Sequence, residues 1–444
     1  MMKRKNLLLL TLICVLSLVF LCGLLIYAFK IQNKRDLLDS KISNKEEQVV
    51  DNTDDNADHA QKEKDLNSET EEQGSEAKED TISNTDNSST EEQTNSGIDN
   101  DSEYAKEEIK HPNPEDGKEA ELNDLQKKPI LLGFAGDVNF DENSHPVAKY
   151  DREKKGILGG LSADLVEEMK AVDIMMLNNE FAYSTRGKKT PNKSYTFRAD
   201  PSRVNILHEM GVDIVSLANN HALDYGVDAL MDTFTTLEEA GIDYVGAGEN
   251  LARAEAPVYY TIGDKKIAYL ASSRVIFAMD WYAKEDSPGM VGTYDPTPLI
   301  KAIEKASENS DFVVVYVHWG VEKNNYPENY QKNFARQYID AGADIVIGCH
   351  PHVMQGFEIY KGKPIAYSLG NFWFNSSTRE SGFLKVYIDP DGTINAQIVP
   401  VMNKDTYTYI ITDGKERQSY FKYMEEISFD IKIDEDGFIS RKEG

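Results

Sequence analysis

Five short stretches of this chain end apolar runs in side chains that bind metals or move protons. They are Gly136-Asp137, Asn178-Asn179-Glu180, Asn219-Asn220-His221, His318-Trp319-Gly320 and Gly348-Cys349-His350-Pro351-His352. Neutral imidazoles one residue apart at a strand end are good ligands for a borderline metal. Carboxylates add charge to such a set, and an asparagine amide adds a neutral oxygen. Pro351 fixes its own φ and biases His350 toward extended backbone, which gives the two rings set directions. Singly, each stretch has a plain structural reading. Asp137 after glycine is a turn residue, Glu180 a charge at a helix N-terminus, Asn220 a cap for a helix starting near Leu223, and His318 a hydrogen-bonded core histidine. Their shared place at strand ends favours one site at the C-terminal edge of a sheet, where open α/β folds keep their ligands.

The elements that position these residues repeat one pattern. Apolar strands are expected over 129–135, 172–177, 212–217, 242–245, 312–317 and 344–347, and helices over 161–170, 202–210, 227–240 and 328–341. Gly211, Gly241 and Gly342 follow three of the helices, where a left-handed residue turns the chain back toward a sheet. Three junctions share their wording: Ala171-Val172-Asp173-Ile174, Gly211-Val212-Asp213-Ile214 and Gly342-Ala343-Asp344-Ile345. Strand, helix, strand at this spacing predicts largely parallel sheet covered on both faces. Later pairs read as antiparallel hairpins around Gly263-Asp264, Lys361-Gly362-Lys363 and Asp391-Gly392. The expected fold class is therefore α/β, with two mixed β-sheets flanked by helices. Lys415–Glu426 reads as a further helix, and the last dozen residues are polar.

Composition divides the chain. Leu7–Phe29 is 23 residues without a charge, behind Lys3-Arg4-Lys5. At about 1.5 Å per residue that run spans a hydrocarbon core of about 30 Å, and the positive-inside rule puts everything after Lys30 outside the membrane. A cleaved signal peptide is the rival reading, but no small-x-small site follows the run. Residues 31–126 hold 29 acidic and 10 basic residues, and no aromatic stands between Phe29 and Tyr104. Such a stretch cannot bury enough apolar surface to offset its ordering entropy, so a disordered acidic linker is expected. The linker supplies 19 of the chain's 28 net negative charges, so that total says little about a ligand. Nothing is basic enough for nucleic acid. Cys14 and Cys22 lie in the apolar run, which leaves Cys349 without a disulfide partner in the remainder. The expected organisation is an anchor over 1–30, a linker over 31–126, one folded domain over 127–402 and a C-terminal extension over 403–444. Localisation at the cell membrane, single-pass and with the domain extracytoplasmic, follows.

The order of motifs resembles the CapA-type capsule synthesis family of poly-gamma-glutamate synthesis, itself similar to calcineurin-like metallophosphoesterases. The resemblance rests on Gly133-Phe134-Ala135-Gly136-Asp137, Asn178-Asn179-Glu180, Leu217 to Gly226, Tyr244 to Asn250, His318 to Glu322, Gly348 to Gln355 and Tyr367 to Phe372. It implies a calcineurin-like metallophosphatase fold and two divalent ions, manganese, iron or zinc. Asp137 and His352 would hold one ion, Asn220, His318 and His350 the other, and Glu180 would bridge them. His221 would donate a proton. Asp224 lies three residues later, so one helical turn brings its carboxylate against the His221 ring. The phosphoesterase pattern has histidine where this chain has Asn139 and aspartate where it has Glu180, and its Gly-His-x-His becomes Gly348-Cys349-His350-Pro351-His352, which leaves Cys349 beside the metal shell; the default reading of that thiol is inert packing, and the alternative is an oxidation-sensitive group. The implied partners are the membrane, an anionic polymer such as poly-gamma-glutamate and other membrane components of capsule synthesis. The alternatives are a cell-surface metal-dependent hydrolase of phosphoester or amide bonds, or a non-catalytic metal-binding protein. Arg198, Arg203 and Arg274 are candidate cations for substrate carboxylates.

Overall fold

A computed structural model describes residues 128–442. The expected membrane anchor and the whole of the expected acidic linker, 31–126, lie outside the described residues. Among those described, no helix is long and apolar enough to cross a membrane.

Sixteen strands form two large mixed sheets. They are β1 (Ile130–Val138), β2 (Ile174–Asn179), β3 (Ile214–Ser216), β4 (Asp243–Val245), β5 (Val258–Ile262), β6 (Lys265–Ser273), β7 (Phe312–His318), β8 (Ile345–Cys349), β9 (Met354–Tyr360), β10 (Lys363–Leu369), β11 (Asn371–Trp373), β12 (Arg379–Ile388), β13 (Ile394–Lys404), β14 (Tyr407–Ile410), β15 (Ile431–Ile433) and β16 (Phe438–Arg441). The first sheet runs β15-β16-β13-β12-β1-β2-β3-β4, with β11 also on β1 and β14 also on β13. The second runs β9-β10-β8-β7-β6-β5. Four consecutive neighbours in each sheet are parallel, β1 to β4 in one and β6, β7, β8 and β10 in the other; β11 also lies parallel to β1, and the other flanking strands are antiparallel. Mixed α/β architecture with two mixed sheets is thus what the strand–helix alternation predicts.

Alternation along the strands fixes the layers. Leu132, Phe134, Ile174, Met176 and Ile214 pack in one core with Tyr269, Val314, Tyr316, Ile345 and Ile347, so the two sheets lie face to face. The Tyr316 hydroxyl crosses that interface to donate to the Ala135 carbonyl at 2.7 Å. Among the described residues there are eight α-helices: α1 (His145–Glu153), α2 (Ala163–Lys170), α3 (Asn205–Met210), α4 (Val227–Ala240), α5 (Leu251–Glu255), α6 (Thr297–Ser307), α7 (Asn329–Asp340) and α8 (Gly414–Ile427). Residues of α2, α3 and α4 cover the outer face of the first sheet, and residues of α6 and α7 the outer face of the second. Helix α4 has the expected bounds because Gly241 ends it at φ 69°. A capping box between Glu328 and Gln331 starts α7.

The repeated junctions have a shared physical role. Asp173, Asp213 and Asp344 each stand at the start of a parallel strand. Each carboxylate accepts a backbone N–H from the neighbouring strand: Leu131 at 2.7 Å, Met175 at 2.8 Å and Val313 at 2.9 Å. They close the ladder where the strands enter the sheet. The polar C-terminal residues are not a tail, since alternating Ile431, Ile433 and Ile439 carry β15 and β16 into the first sheet.

Candidate metal centre

The opposite edge of both sheets gathers the polar side chains. His318 ends β7 in the same alternation as Val314 and Tyr316, so its ring turns toward the space between the sheets. Asp137 needs a different device. Phe134 pairs with Met176 but Asp137 pairs with Asn178, so β1 holds one extra residue between them. Without that bulge Asp137 would share the outward face of Ala135, and the bulge re-aims it inward. Gly136 makes it possible: a Cβ there would lie 1.9 Å from the Gly370 carbonyl oxygen. Glu180 follows β2, and Asn220 and His221 lie in the turn after β3.

The structure brings Asp137, Glu180, Asn220, His318, His350 and His352 into one cluster. Ligand atoms of Glu180, His318 and His350 lie within 4.8 Å of one another, as do those of Asp137, Glu180 and His352, and those of Asp137, His318 and Cys349. His352 Nδ1 is 3.4 Å from Asp137 Oδ2, the His350 backbone N–H donates to that same oxygen at 3.2 Å, and His318 Nε2 is 2.8 Å from Asn220 Oδ1. The first sheet thus supplies oxygen atoms and the second nitrogen and sulfur.

His350 is not extended, contrary to what Pro351 suggested. Its φ is 97° and that of His352 is 57°, both in the left-handed region that side chains disfavour. The bond from the His350 N–H to Asp137 holds the chain in this turn, and such backbone strain is the kind that collects at functional sites. Asn139 turns away from a ligand role, because its Oδ1 accepts the Asp141 backbone N–H at 2.9 Å.

Within this cluster, two buried atoms have no hydrogen-bond partner, Glu180 Oε1 and His350 Nδ1. Burial, helped by the charge of Asp137, pushes the Glu180 carboxyl well above the usual range. Burial pushes His318 well down and takes His350 down to about 3, so both rings stay neutral with lone pairs to offer. For Asp137 burial acts upward, but the hydrogen bond and charge of His352, with Asn178 and His350, outweigh it and hold the carboxyl low. Burial acts downward on His352, and Asp137, Glu322 and Asn371 raise it in spite of that. An orphaned carboxylate oxygen facing neutral imidazoles suits a divalent cation, which would satisfy both at once.

Beside this cluster, His221 Nδ1 lies 2.7 Å from Asp224 Oδ2, the contact expected from their spacing. The His221 ring stacks on Phe197 at 4.3 Å, and its Nε2 is 3.8 Å from Glu180 Oε1. Burial keeps the His221 ring below its ordinary value, against the pull of Asp224. Lys193 was not foreseen. Its side chain is 8% exposed, its Nζ pairs with Asp224 Oδ1, and it lies 3.0 Å from His221 Nδ1. A lysine in a polar loop is usually solvated, so nothing in the sequence marks it. Asn178, which its motif does not mark as a ligand, donates from Nδ2 to Asp137 Oδ1 at 2.8 Å and reaches Glu180 Oε2 at 3.3 Å.

The three arginines expected to meet substrate have other partners. Arg203 is held by Glu142 and Asp151. Arg198 donates to the Arg186 carbonyl and covers the Tyr225 ring at 4.1 Å. Arg274 lies over Tyr294 and Tyr330 at 4.4 and 4.5 Å and donates to the carbonyls of Thr293 and Tyr294.

Among known proteins, the chain is 34% identical over 240 residues to the capsule biosynthesis protein CapA of Bacillus anthracis, covering 52% of this chain and 58% of that one. It is 36% identical over 217 residues to the PGA biosynthesis protein CapA of Bacillus subtilis, covering 48% and 57%. A probable polyglutamine synthesis accessory protein of Mycobacterium tuberculosis is 32% identical over 215 residues, covering 46% and 57%. The chain spans a little over half the length of these curated relatives. Among solved structures, the NAD nucleotidase of Haemophilus influenzae overlays 68% of this chain and 63% of that one at 10% identity, with a TM-score of 0.37, too low to carry an argument. The family model for bacterial capsule synthesis protein PGA_cap matches residues 131–376, more than half of the sequence, from within β1 to just beyond β11, and the chain belongs to that family.

Proposed function

We propose that this is a membrane-anchored, extracytoplasmic protein of poly-gamma-glutamate capsule assembly or export, whose folded domain adopts a calcineurin-like arrangement and holds two divalent ions. The observation that carries the metal reading is the pair of orphaned buried atoms, Glu180 Oε1 and His350 Nδ1, set among Asp137, Asn220, His318 and His352. Asp137 and His352 would hold one ion, Asn220, His318 and His350 the other, and Glu180 would serve both. Oxygen and imidazole donors suit manganese, iron or zinc. The capsule role is supported by family membership and by the names of the relatives. The anchor is supported by the uncharged run Leu7–Phe29 behind a basic cap.

A second reading, hydrolysis of an amide or phosphoester bond, is favoured by the His221–Asp224 contact at 2.7 Å. Bound ions would acidify a coordinated water and neutralise charge on a developing oxyanion. Asp224 orients the His221 ring and leaves Nε2 facing the Glu180 side of the cluster, where, once it has taken up a proton, it can hand that proton to a leaving group. Phe197 holds that ring flat from one side. Elemental analysis of the purified full chain tests the first reading: transition metal at one to two equivalents is expected, and none would remove the metal centre from it. Turnover of a generic phosphoester with added manganese, lost in His221→Ala, tests the second.

A further inference from the structure

Cys349 is fully buried at the end of β8, with its sulfur 3.2 Å from Nδ1 of His318. The two nitrogens of that ring face different company. On the Nε2 side lie Asn220 Oδ1 at 2.8 Å and the orphaned Glu180 Oε1 at 3.7 Å. On the Nδ1 side lie the Cys349 sulfur and, at 3.4 Å, Asn178 Nδ2. Asn178 cannot accept a proton there, because its own Oδ1 accepts from Asn219 Nδ2 at 3.0 Å, which points the amide nitrogen toward the ring. Without an ion, Nε2–H donates to Asn220 Oδ1; when Nε2 turns its lone pair to an ion the ring N–H moves to Nδ1, and among the described residues the sulfur is then the side-chain acceptor within reach.

We propose that Cys349 is a positioning residue for the metal centre: its sulfur holds the Nδ1 side of His318 and thereby presents Nε2 to an ion shared with Glu180 and Asn220. This rests on the metal reading given above. A metal-ligating histidine ordinarily gives its other ring N–H to an oxygen acceptor, which fixes both tautomer and orientation. Here a sulfur takes that place. Direct ligation by Cys349 is the competing arrangement, since Asp137, His318 and Cys349 also bring ligand atoms within 4.8 Å of one another. The geometry disfavours it. The unsatisfied acceptor, Glu180 Oε1, lies on the Nε2 side of His318, whereas the sulfur lies on its Nδ1 side.

The test is cobalt(II) titration of the full chain and of Cys349→Ala, Cys349→Val and Cys349→Ser, followed by optical absorption and by competition for affinity. The expected result is no intense thiolate-to-cobalt band in the near ultraviolet, an affinity at least about tenfold weaker in the alanine and valine variants, as for loss of an outer partner, and most of it kept in the serine variant. Valine stands in if the alanine variant does not fold. A strong near-ultraviolet band in the parent that Cys349→Ser abolishes would make the cysteine a ligand and overturn the proposal. So would unchanged affinity in a folded alanine or valine variant. If the parent takes up no cobalt, the metal reading itself falls, and this proposal falls with it.

Discussion

The parallel strands of this domain carry similar residue types at their two ends and use them in opposite ways. At the entry edge, Asp173, Asp213 and Asp344 each place a carboxylate oxygen on a neighbouring strand's N–H. At the exit edge, Asp137, Glu180, His318, His350 and His352 crowd one another, and two of their atoms are buried with no partner. A satisfied carboxylate stabilises a ladder; an unsatisfied one costs stability unless a cation joins it. The comparison teaches that residue type does not separate structural from functional acids here. The state of each lone pair does. Entry-edge variants should therefore change stability and keep metal, and exit-edge ligand variants should lose metal with little loss of metal-free stability.

The largest effect is expected where the exit edge depends on backbone. Gly136→Ala forces a Cβ against the Gly370 carbonyl and disturbs the bulge that turns Asp137 inward. A loss of about 4 kcal/mol or failure to fold is expected by urea denaturation. A loss below about 1 kcal/mol would mean that the bulge is not fixed by that contact.

Lys193→Met comes next. It leaves the buried Asp224 carboxylate with His221 as its remaining side-chain partner. Removing one member of a buried pair costs about 3 kcal/mol or more, and the double variant Lys193→Met/Asp224→Asn should recover part of it. If the double variant is no more stable than the single, the pair is not coupled.

Asp344→Ala should cost less, about 1–3 kcal/mol, because it strands the Val313 N–H and removes the partner of Lys363. Its metal content should equal the parent's. Metal loss here would erase the distinction between the two edges.

Much of this was legible in the sequence, and the rest was hidden for definable reasons. The Ala-Val-Asp-Ile type junctions and helix-ending glycines mark parallel strands because local chemistry closes each ladder and each helix. The strand-end histidines were legible because alternation alone carries His318 to the inner face. The bulge in β1 was not, since a one-residue register shift depends on the partner strand. The left-handed turn at His350 was not, because Asp137 imposes it from 213 positions away. Lys193 was hidden because burial of a loop lysine is set by the tertiary pocket around Asp224. Strands β15 and β16 were missed among polar neighbours, although Ile431-Lys432-Ile433 alternates as an edge strand does.

The central claim is that the exit edge is a metal centre in which His318 and His350 are ligands and His221 is not. Metal stoichiometry of the purified full chain, measured beside His318→Ala, His350→Ala, His352→Ala and His221→Ala, tests it most directly. The account predicts that His318→Ala and His350→Ala lose the more tightly held ion, that His352→Ala loses mainly the other, which has fewer ligands once Asn139 is turned away, and that His221→Ala keeps the parent's content. Loss of metal from His221→Ala as complete as from His350→Ala, or a parent that binds no transition metal, would contradict it.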